Sequence, residues 1–166
     1  MIAADGVLST RQRRPKNVPH LDQVLPTMKA AKTRGLSKPL VHVIDREADS
    51  VDHDRQWDNA GHRFLVRSDD RRVKWEGQAR LLSEIQGILN AHAAFRLIQA
   101  VPYRDTTAQL WVAETSVILY RPSKKSVRGR KFQQSGPALT LRFVVVQLRD
   151  LDGHVLAEWM LQSNVP

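Results

Sequence analysis

The apolar residues of the first half of the chain recur at helical spacing. A period near 3.6 residues predicts amphipathic helices, and it predicts three of them here, over 20–34, 47–59 and 79–90. Two short apolar runs, 40–44 and 63–68, separate the helices and are bounded by charged residues. Such runs are typical of buried strands in a parallel or mixed sheet. This half therefore predicts an α/β arrangement.

After Phe95 the spacing of apolar residues changes from a helical period to a period of two. Alternation of this kind predicts half-buried antiparallel strands. The last two predicted strands flank Asp152 and Gly153, a pair that favours a hairpin turn. We therefore expect an α/β part over 1–91 followed by an antiparallel β part over 92–166.

The run VHVIDREADS, residues 41–50, places Asp45 directly after a predicted strand. Carboxylates are preferred ligands of Mg²⁺ and Mn²⁺, and strand ends commonly carry them. The same residue also suits the N-cap of the helix that follows. For Glu47 and Asp49 the pattern favours capping and salt-bridge roles, since acids stabilise the first turn of a helix.

The net positive charge of the chain indicates the class of partner that it binds. With 26 Lys and Arg against 17 Asp and Glu, the formal net charge is +9, which favours a polyanion such as nucleic acid, although a basic protein of a membrane surface would look alike. The absence of cysteine excludes disulfides and thiolate metal sites. Since the sequence shows no signal peptide and no long apolar run, we expect a soluble, intracellular protein.

One segment, 121–137, is strongly basic and contains no acidic residue. Its charged residues are Arg121, Lys124, Lys125, Arg128, Arg130 and Lys131. Because it lies between two predicted strands, it predicts a long basic loop that follows DNA phosphates and releases counterions. The alternative is a solvated loop tip.

Three runs in order, VIDREADS, HRFLVRS and AEWMLQS, resemble the DDE transposases of bacterial insertion sequences, in the insertion-sequence-four group that includes the transposon-five transposase. The resemblance covers about residues 38–166. It implies a partial ribonuclease-H-like core over 1–91, an antiparallel β insertion over 92–166, and Mg²⁺- or Mn²⁺-dependent cleavage and transfer of DNA strands at transposon ends. Asp45 matches the second acid of the catalytic triad and thus a metal ligand.

Two further residues match by the same resemblance. Arg67, at the end of RFLVRS, matches an arginine that contacts DNA phosphate, for which a planar guanidinium is suited; an ordinary ion pair is the alternative. Trp159 matches a tryptophan that stacks on an extruded base, the alternative being a packing residue of a strand. The other tryptophans, Trp57, Trp75 and Trp111, are predicted to pack.

The other two acids of the triad lack a match. Asp5 resembles a turn residue, and the third acid, a glutamate, would follow Pro166. The sequence therefore predicts an internal segment of a transposase with an incomplete site, and the alternative is a DNA-binding or remnant fragment without catalysis. Relatives act as dimers on transposon ends, and the resemblance implies a nucleoid-associated protein of the bacterial cytoplasm.

Overall fold

The computed structural model describes residues 23–34, 38–127 and 130–166, and for 124–127, 130 and 131 it describes the backbone alone. The chain forms two units, Met1–Leu40 and Val41–Pro166. In the first unit, helix α1 spans Val24–Lys32 inside the range predicted for it. The sequence also predicts a helix C-cap at Gly35 and a basic loop over 9–20. Both, together with Asp5, lie outside the described residues.

The second unit combines two α-helices with ten strands in its described part. Its helices are α2 (Val51–Asn59) and α3 (Leu82–Ala91), with a short 3-10 helix at Arg46–Ala48. Its strands are β1 (Val41–Ile44), β2 (Arg63–Arg67), β3 (Arg72–Trp75), β4 (Gln78–Leu81), β5 (Arg96–Tyr103), β6 (Thr106–Leu119), β7 (Ser123–Val127), β8 (Arg130–Gln134), β9 (Leu139–Arg149) and β10 (Val155–Ser163).

Eight of these strands form one mostly antiparallel sheet. Seven follow the order β1-β2-β10-β9-β6-β3-β4. The eighth strand, β5, lies outside this order and pairs with β6. The parallel pair is β1 with β2, where Val43 lies opposite Leu65. A connection between parallel strands needs a crossover, and α2 lies in that connection. The strands β7 and β8 form a separate two-stranded sheet.

Both helices of this unit pack on the same face of the sheet. The ring of Trp57 in α2 contacts Phe64 of β2 edge to face, with centroids 5.4 Å apart. In α3, Asn90 accepts a hydrogen bond from Gln147 of β9 at 3.2 Å. Apolar side chains on this face are buried: Phe64, Val66, Ala113, Val117, Leu141, Phe143 and Val145. The alternation read from the sequence thus identifies the core face of the central strands.

The opposite face of the sheet is also apolar but only half-buried. Registered pairs place Trp159 beside Val146 and Leu161 beside Val144, and all four are partly exposed. At the β1 edge, Val43 is 79 % exposed.

Three predicted elements need correction. The helix predicted over 47–59 is divided into the 3-10 helix and α2, because Ser50 accepts a hydrogen bond from the His53 amide and starts α2 there. The helix predicted over 79–90 begins at Leu82, since residues 78–81 pair with β3 across a tight turn. The loop predicted over 121–137 contains the hairpin β7–β8.

The mixed α/β class is confirmed, with a mostly antiparallel sheet and three α-helices in the described residues. Strand β10, from the predicted β part, pairs with β2, from the predicted α/β part, so one sheet runs across residue 91. None of the helices in the described ranges has the length and apolarity needed to cross a membrane.

Candidate nucleic-acid interface

Asp45 and Arg67 meet at one edge of the sheet. Because β1 and β2 are parallel, their carboxyl ends lie side by side, and each of these residues stands at such an end. The Asp45 Oδ1 atom is 3.8 Å from Arg67 Nη1, and the two side chains are 75 % and 42 % exposed. Exposed pairs of this kind contribute little to stability, so the arginine remains available to an incoming phosphate.

Asp45 also caps the 3-10 helix. Its Oδ1 accepts a hydrogen bond from the Arg46 amide at 2.8 Å, and its backbone is extended as an N-cap requires. The capping alternative drawn from the sequence is therefore present in the structure. The role of Asp45 as a catalytic metal ligand stays a prediction.

A buried ionic cluster connects the segments that follow β1 and β2. Arg71 forms salt bridges with both Asp49 and Asp54, and the Asp54 Oδ2 atom lies 3.3 Å from Arg71 Nη1. The carboxylates of both acids are fully buried, while the arginine side chain is 15 % exposed. Asp49 also accepts a hydrogen bond from the Asp69 amide at 2.6 Å. The cluster thereby ties the segment after Asp45 to the loop after Arg67, and it confirms the salt-bridge role predicted for Asp49.

Burial perturbs the titration of this cluster. It raises the pKa of Asp54 from 3.8 to about 7, since removal from water penalises the charged carboxylate more than Arg71 favours it, and the nearby charge of Asp49 acts in the same direction. Burial also raises the pKa of Asp49. One oxygen of each acid, Oδ1, is buried without a hydrogen-bond partner, which fits a proton resident on Asp54 near neutral pH.

The cluster also explains the polar composition of α2. Asp54 lies where an apolar residue would be expected and pairs with Arg71 instead. His53 stacks on Trp57 with ring centroids 5.6 Å apart, and Ser50 caps the helix. The sequence pattern does not mark Arg71 or Asp54 as part of a buried cluster. The sequence does contain one indication of the cluster: the run DDRR, residues 69–72, follows shortly after an acid-rich helix along the chain.

The Mg²⁺ or Mn²⁺ expected at Asp45 stays a prediction. Among the described residues, the group with three candidate ligand atoms within 4.8 Å of one another is Asp150, Asp152 and His154. These residues form the exposed β9–β10 turn, where the Asp150 Oδ1 atom accepts the amides of Asp152 and His154 at 3.0 and 2.8 Å. Asp45 belongs to no such group in the described part, and a pair of divalent ions needs several carboxylates.

The basic segment forms a ribbon of two antiparallel strands. We use "basic ribbon" for the paired strands 123–127 and 130–134, in which Ser123 lies opposite Gln134 and Val127 opposite Arg130. Lys124, Lys125, Arg130 and Lys131 lie in its strands, whereas Arg128 is outside the described residues. Phe132, which lies opposite Lys125, is 44 % exposed. Four of the six basic residues singled out in the sequence thus lie in paired strands instead of a loop.

Trp159 lies in β10 on the same face of the sheet as Arg67. Leu161 pairs with Arg67 on β2 and with Val144 on β9, and Trp159 is two residues from Leu161 along β10. The Trp159 ring is half-buried, so part of it packs and part faces outward. Of the other tryptophans, Trp57 is fully buried as predicted, and Trp75 donates to Thr115 at 3.0 Å.

No protein-family model matches the chain, and a search of curated proteins finds no similar sequence. The site must therefore be interpreted from its residues. They provide a basic ribbon, an exposed arginine next to an acid at the sheet edge, and a half-buried tryptophan on the same face as that arginine.

Proposed function

We propose that this protein binds double-stranded DNA through phosphate contacts made by the basic ribbon and Arg67. The observation that carries the proposal is the ribbon itself, since two paired strands hold four basic positions within a segment that has no acid. A net charge of +9 acts in the same direction. Phosphate contacts of this kind bind without sequence preference and weaken as salt rises.

The proposal includes descent from DDE transposases, with a ribonuclease-H-like core and an antiparallel β insertion. Three features support this relationship. The strands β1 and β2 are parallel with α2 in their connection, Asp45 follows β1 directly, and antiparallel strands follow α3. Under this proposal the DNA partner includes transposon ends, the protein is associated with the bacterial nucleoid, and relatives act as dimers.

Strand cleavage at Asp45 is the alternative function. Two-metal cleavage requires several carboxylates that fix both ions, and the described residues around Asp45 do not supply them. Asp45 is engaged with the Arg46 amide. We therefore propose that the chain alone binds DNA without cutting it.

Two measurements on one preparation test the proposal. Fluorescence anisotropy with a labelled duplex at low salt should show binding that an unlabelled duplex of unrelated sequence displaces equally well. Supercoiled plasmid incubated with Mg²⁺ or Mn²⁺ should remain uncut by the native chain and by Asp45→Ala alike. No detectable duplex binding would refute the proposed function, and metal-dependent nicking that Asp45→Ala abolishes would establish the catalytic alternative.

A further inference from the structure

The basic ribbon is separated from a longer hairpin by a break in strand pairing. Strands β6 and β9 pair up to Leu119 and Leu139, and pairing resumes only at Ser123 and Gln134 in β7 and β8. The linkers between the two paired regions are 120–122 and 135–138, and each contains a proline, Pro122 and Pro137. Because proline fixes its own φ and removes a backbone donor, the pairing is interrupted on both strands at the same level.

Arg55 of α2 lies at this break in the pairing. Its Nη2 donates to the Arg121 carbonyl at 3.0 Å in the first linker. In the second linker, a Cβ placed on Gly136 would lie 2.8 Å from Arg55 Nη1. Arg55 is 7 % exposed, so its guanidinium packs between the linkers and contacts both. A buried arginine therefore connects the helical layer to the base of the ribbon.

A second contact supports the same attachment. Ser123, the first residue of β7, is 4 % exposed. Its hydroxyl lies 3.5 Å from Asp52 Oδ1 of α2 and donates to the Gln134 carbonyl at 3.3 Å. Both ends of the ribbon base are thus held to one helix, which reduces the freedom of the ribbon to swing.

The dimensions of the ribbon suit the major groove of B-form DNA. Paired strands lie about 4.8 Å apart and rise about 3.3 Å per residue, so two five-residue strands form a narrow ribbon. The major groove is about 12 Å wide and admits a two-stranded ribbon. The deep major groove of A-form RNA is too narrow for side chains to read.

We infer that Arg55 is a positioning residue that fixes the basic ribbon at the angle needed to enter the DNA major groove. The inference rests on the proposed DNA binding and adds a groove and an anchor to it. A preordered ribbon loses less conformational entropy on binding than a mobile loop does. Displacing the Arg55 guanidinium should therefore abolish the dependence of binding on an open major groove, while the phosphate contacts remain.

Gly136→Ala tests the anchor with a minimal change. The new Cβ would push the guanidinium away from the Arg121 carbonyl, while the ribbon keeps all its charges. The matched control is Gly87→Ala, because a Cβ there meets nothing within 4 Å. Arg55→Met is a second variant that removes the donors and keeps much of the side chain's length. Near-ultraviolet circular dichroism establishes that each variant is folded at the assay temperature.

The readout is the ratio of affinities for two duplexes of one sequence, one unmodified and one with bulky C5 substituents on its pyrimidines that fill the major groove. We expect the native chain and Gly87→Ala to prefer the unmodified duplex by about tenfold, roughly 1.4 kcal/mol. Gly136→Ala and Arg55→Met should bring the ratio close to unity and retain salt-sensitive binding. A role of Arg55 in folding alone would leave the ratio unchanged in the folded variants.

The outcomes separate the two proposals. If the native chain binds no duplex, the proposed function fails together with this inference. If it binds but shows no preference for the unmodified duplex, or if folded Gly136→Ala and Arg55→Met keep that preference, only the inference is wrong. Equal affinity for duplex RNA, or displacement by a minor-groove ligand such as netropsin, would also overturn the major-groove assignment and leave DNA binding intact.

Discussion

At the scale of single residues, the least expected feature is a pair of buried acids that share one arginine. Asp49 and Asp54 both bond Arg71, yet each retains one buried oxygen without a partner. Removing charge from water costs more than a partial ion pair returns. Burial therefore favours the protonated, uncharged form of Asp54 and raises its pKa to about 7.

This raised pKa predicts a stability that falls as pH rises. The folded chain holds the Asp54 proton more tightly than the unfolded chain, whose pKa is near 3.8. The free energy of unfolding should therefore decrease from about pH 4 to about pH 7 and level off above that. Asp54→Asn should remove most of this decrease and be more stable than the native chain at pH 8, by roughly 2 to 4 kcal/mol.

Urea denaturation at pH 5 and pH 8 measures the effect. Asp105→Asn, which removes the same charge at the exposed β5–β6 turn, is the matched control and should leave the pH dependence as it is. An Asp54→Asn variant that is less stable than the native chain at pH 8 would show that the charged form of Asp54 stabilises the fold.

Trp159 belongs to the same scale, because its half-buried ring has two proposed uses. Trp159→Leu keeps an apolar side chain on the sheet face and removes the aromatic surface. If the ring stacks on an extruded base, affinity for a duplex with an abasic position should fall by about 1 to 3 kcal/mol, and affinity for intact duplex should change less. Equal affinities of Trp159→Leu and the native chain for the abasic duplex would restrict Trp159 to packing.

At the scale of elements, the sequence predicted the long strands well and the short polar ones poorly. Strands β6 and β9 repeat apolar residues at every second position over much of their length, so the sequence indicates which of their faces is the core face. The β3–β4 hairpin was missed because its strands include Arg72, Lys74, Gln78 and Arg80. The sequence predicts a loop at the basic ribbon for the same reason, because the strand pairing and the contacts with α2 that stabilise the ribbon leave no local pattern.

The candidate site was predicted in part for a related reason. Asp45 directly follows one predicted strand and Arg67 lies at the end of the other, and parallel pairing brings those strand ends together, so the sequence indicates that the two residues are close. The roles of Arg55 and Arg71 depend on burial between elements distant in the chain. Neither charge pattern nor spacing distinguishes such residues from ordinary surface arginines.

Two glycines show how element geometry determines the effect of the same substitution. Gly77 has a φ of +79° in the turn between β3 and β4, following Glu76 at +47°. Because a left-handed conformation is strained for residues with a Cβ, Gly77→Ala should lower the free energy of unfolding by about 1 kcal/mol. Gly87 lies inside α3 with open space around it, so Gly87→Ala should raise it by about 0.5 to 1 kcal/mol. Thermal denaturation of both variants tests these opposite signs, and two shifts of the same sign would contradict the backbone argument.

At the scale of the whole molecule, one sheet connects the proposed DNA contacts. The carboxyl ends of β1 and β2 carry Asp45 and Arg67, and β10 joins β2 to the β6–β9 hairpin whose tip is the basic ribbon. Arg55 in turn attaches that tip to α2. The sheet and α2 hold the strands of these proposed contacts in place, and α2 and α3 lie on the face of the sheet opposite to Trp159 and Arg67.

The salt dependence of duplex binding tests the central claim most directly. Each phosphate contacted contributes about 0.9 to the slope of log affinity against log salt. The variant with Lys124, Lys125, Arg128 and Arg130 all replaced by alanine should therefore lose up to about 3.6 of the native slope. The control replaces Lys29, Lys32, Arg72 and Lys74, which are exposed in α1 and β3, and removes the same charge; it should keep the native slope. A native slope in the ribbon variant, or an equal loss in the control, would contradict DNA binding by the basic ribbon.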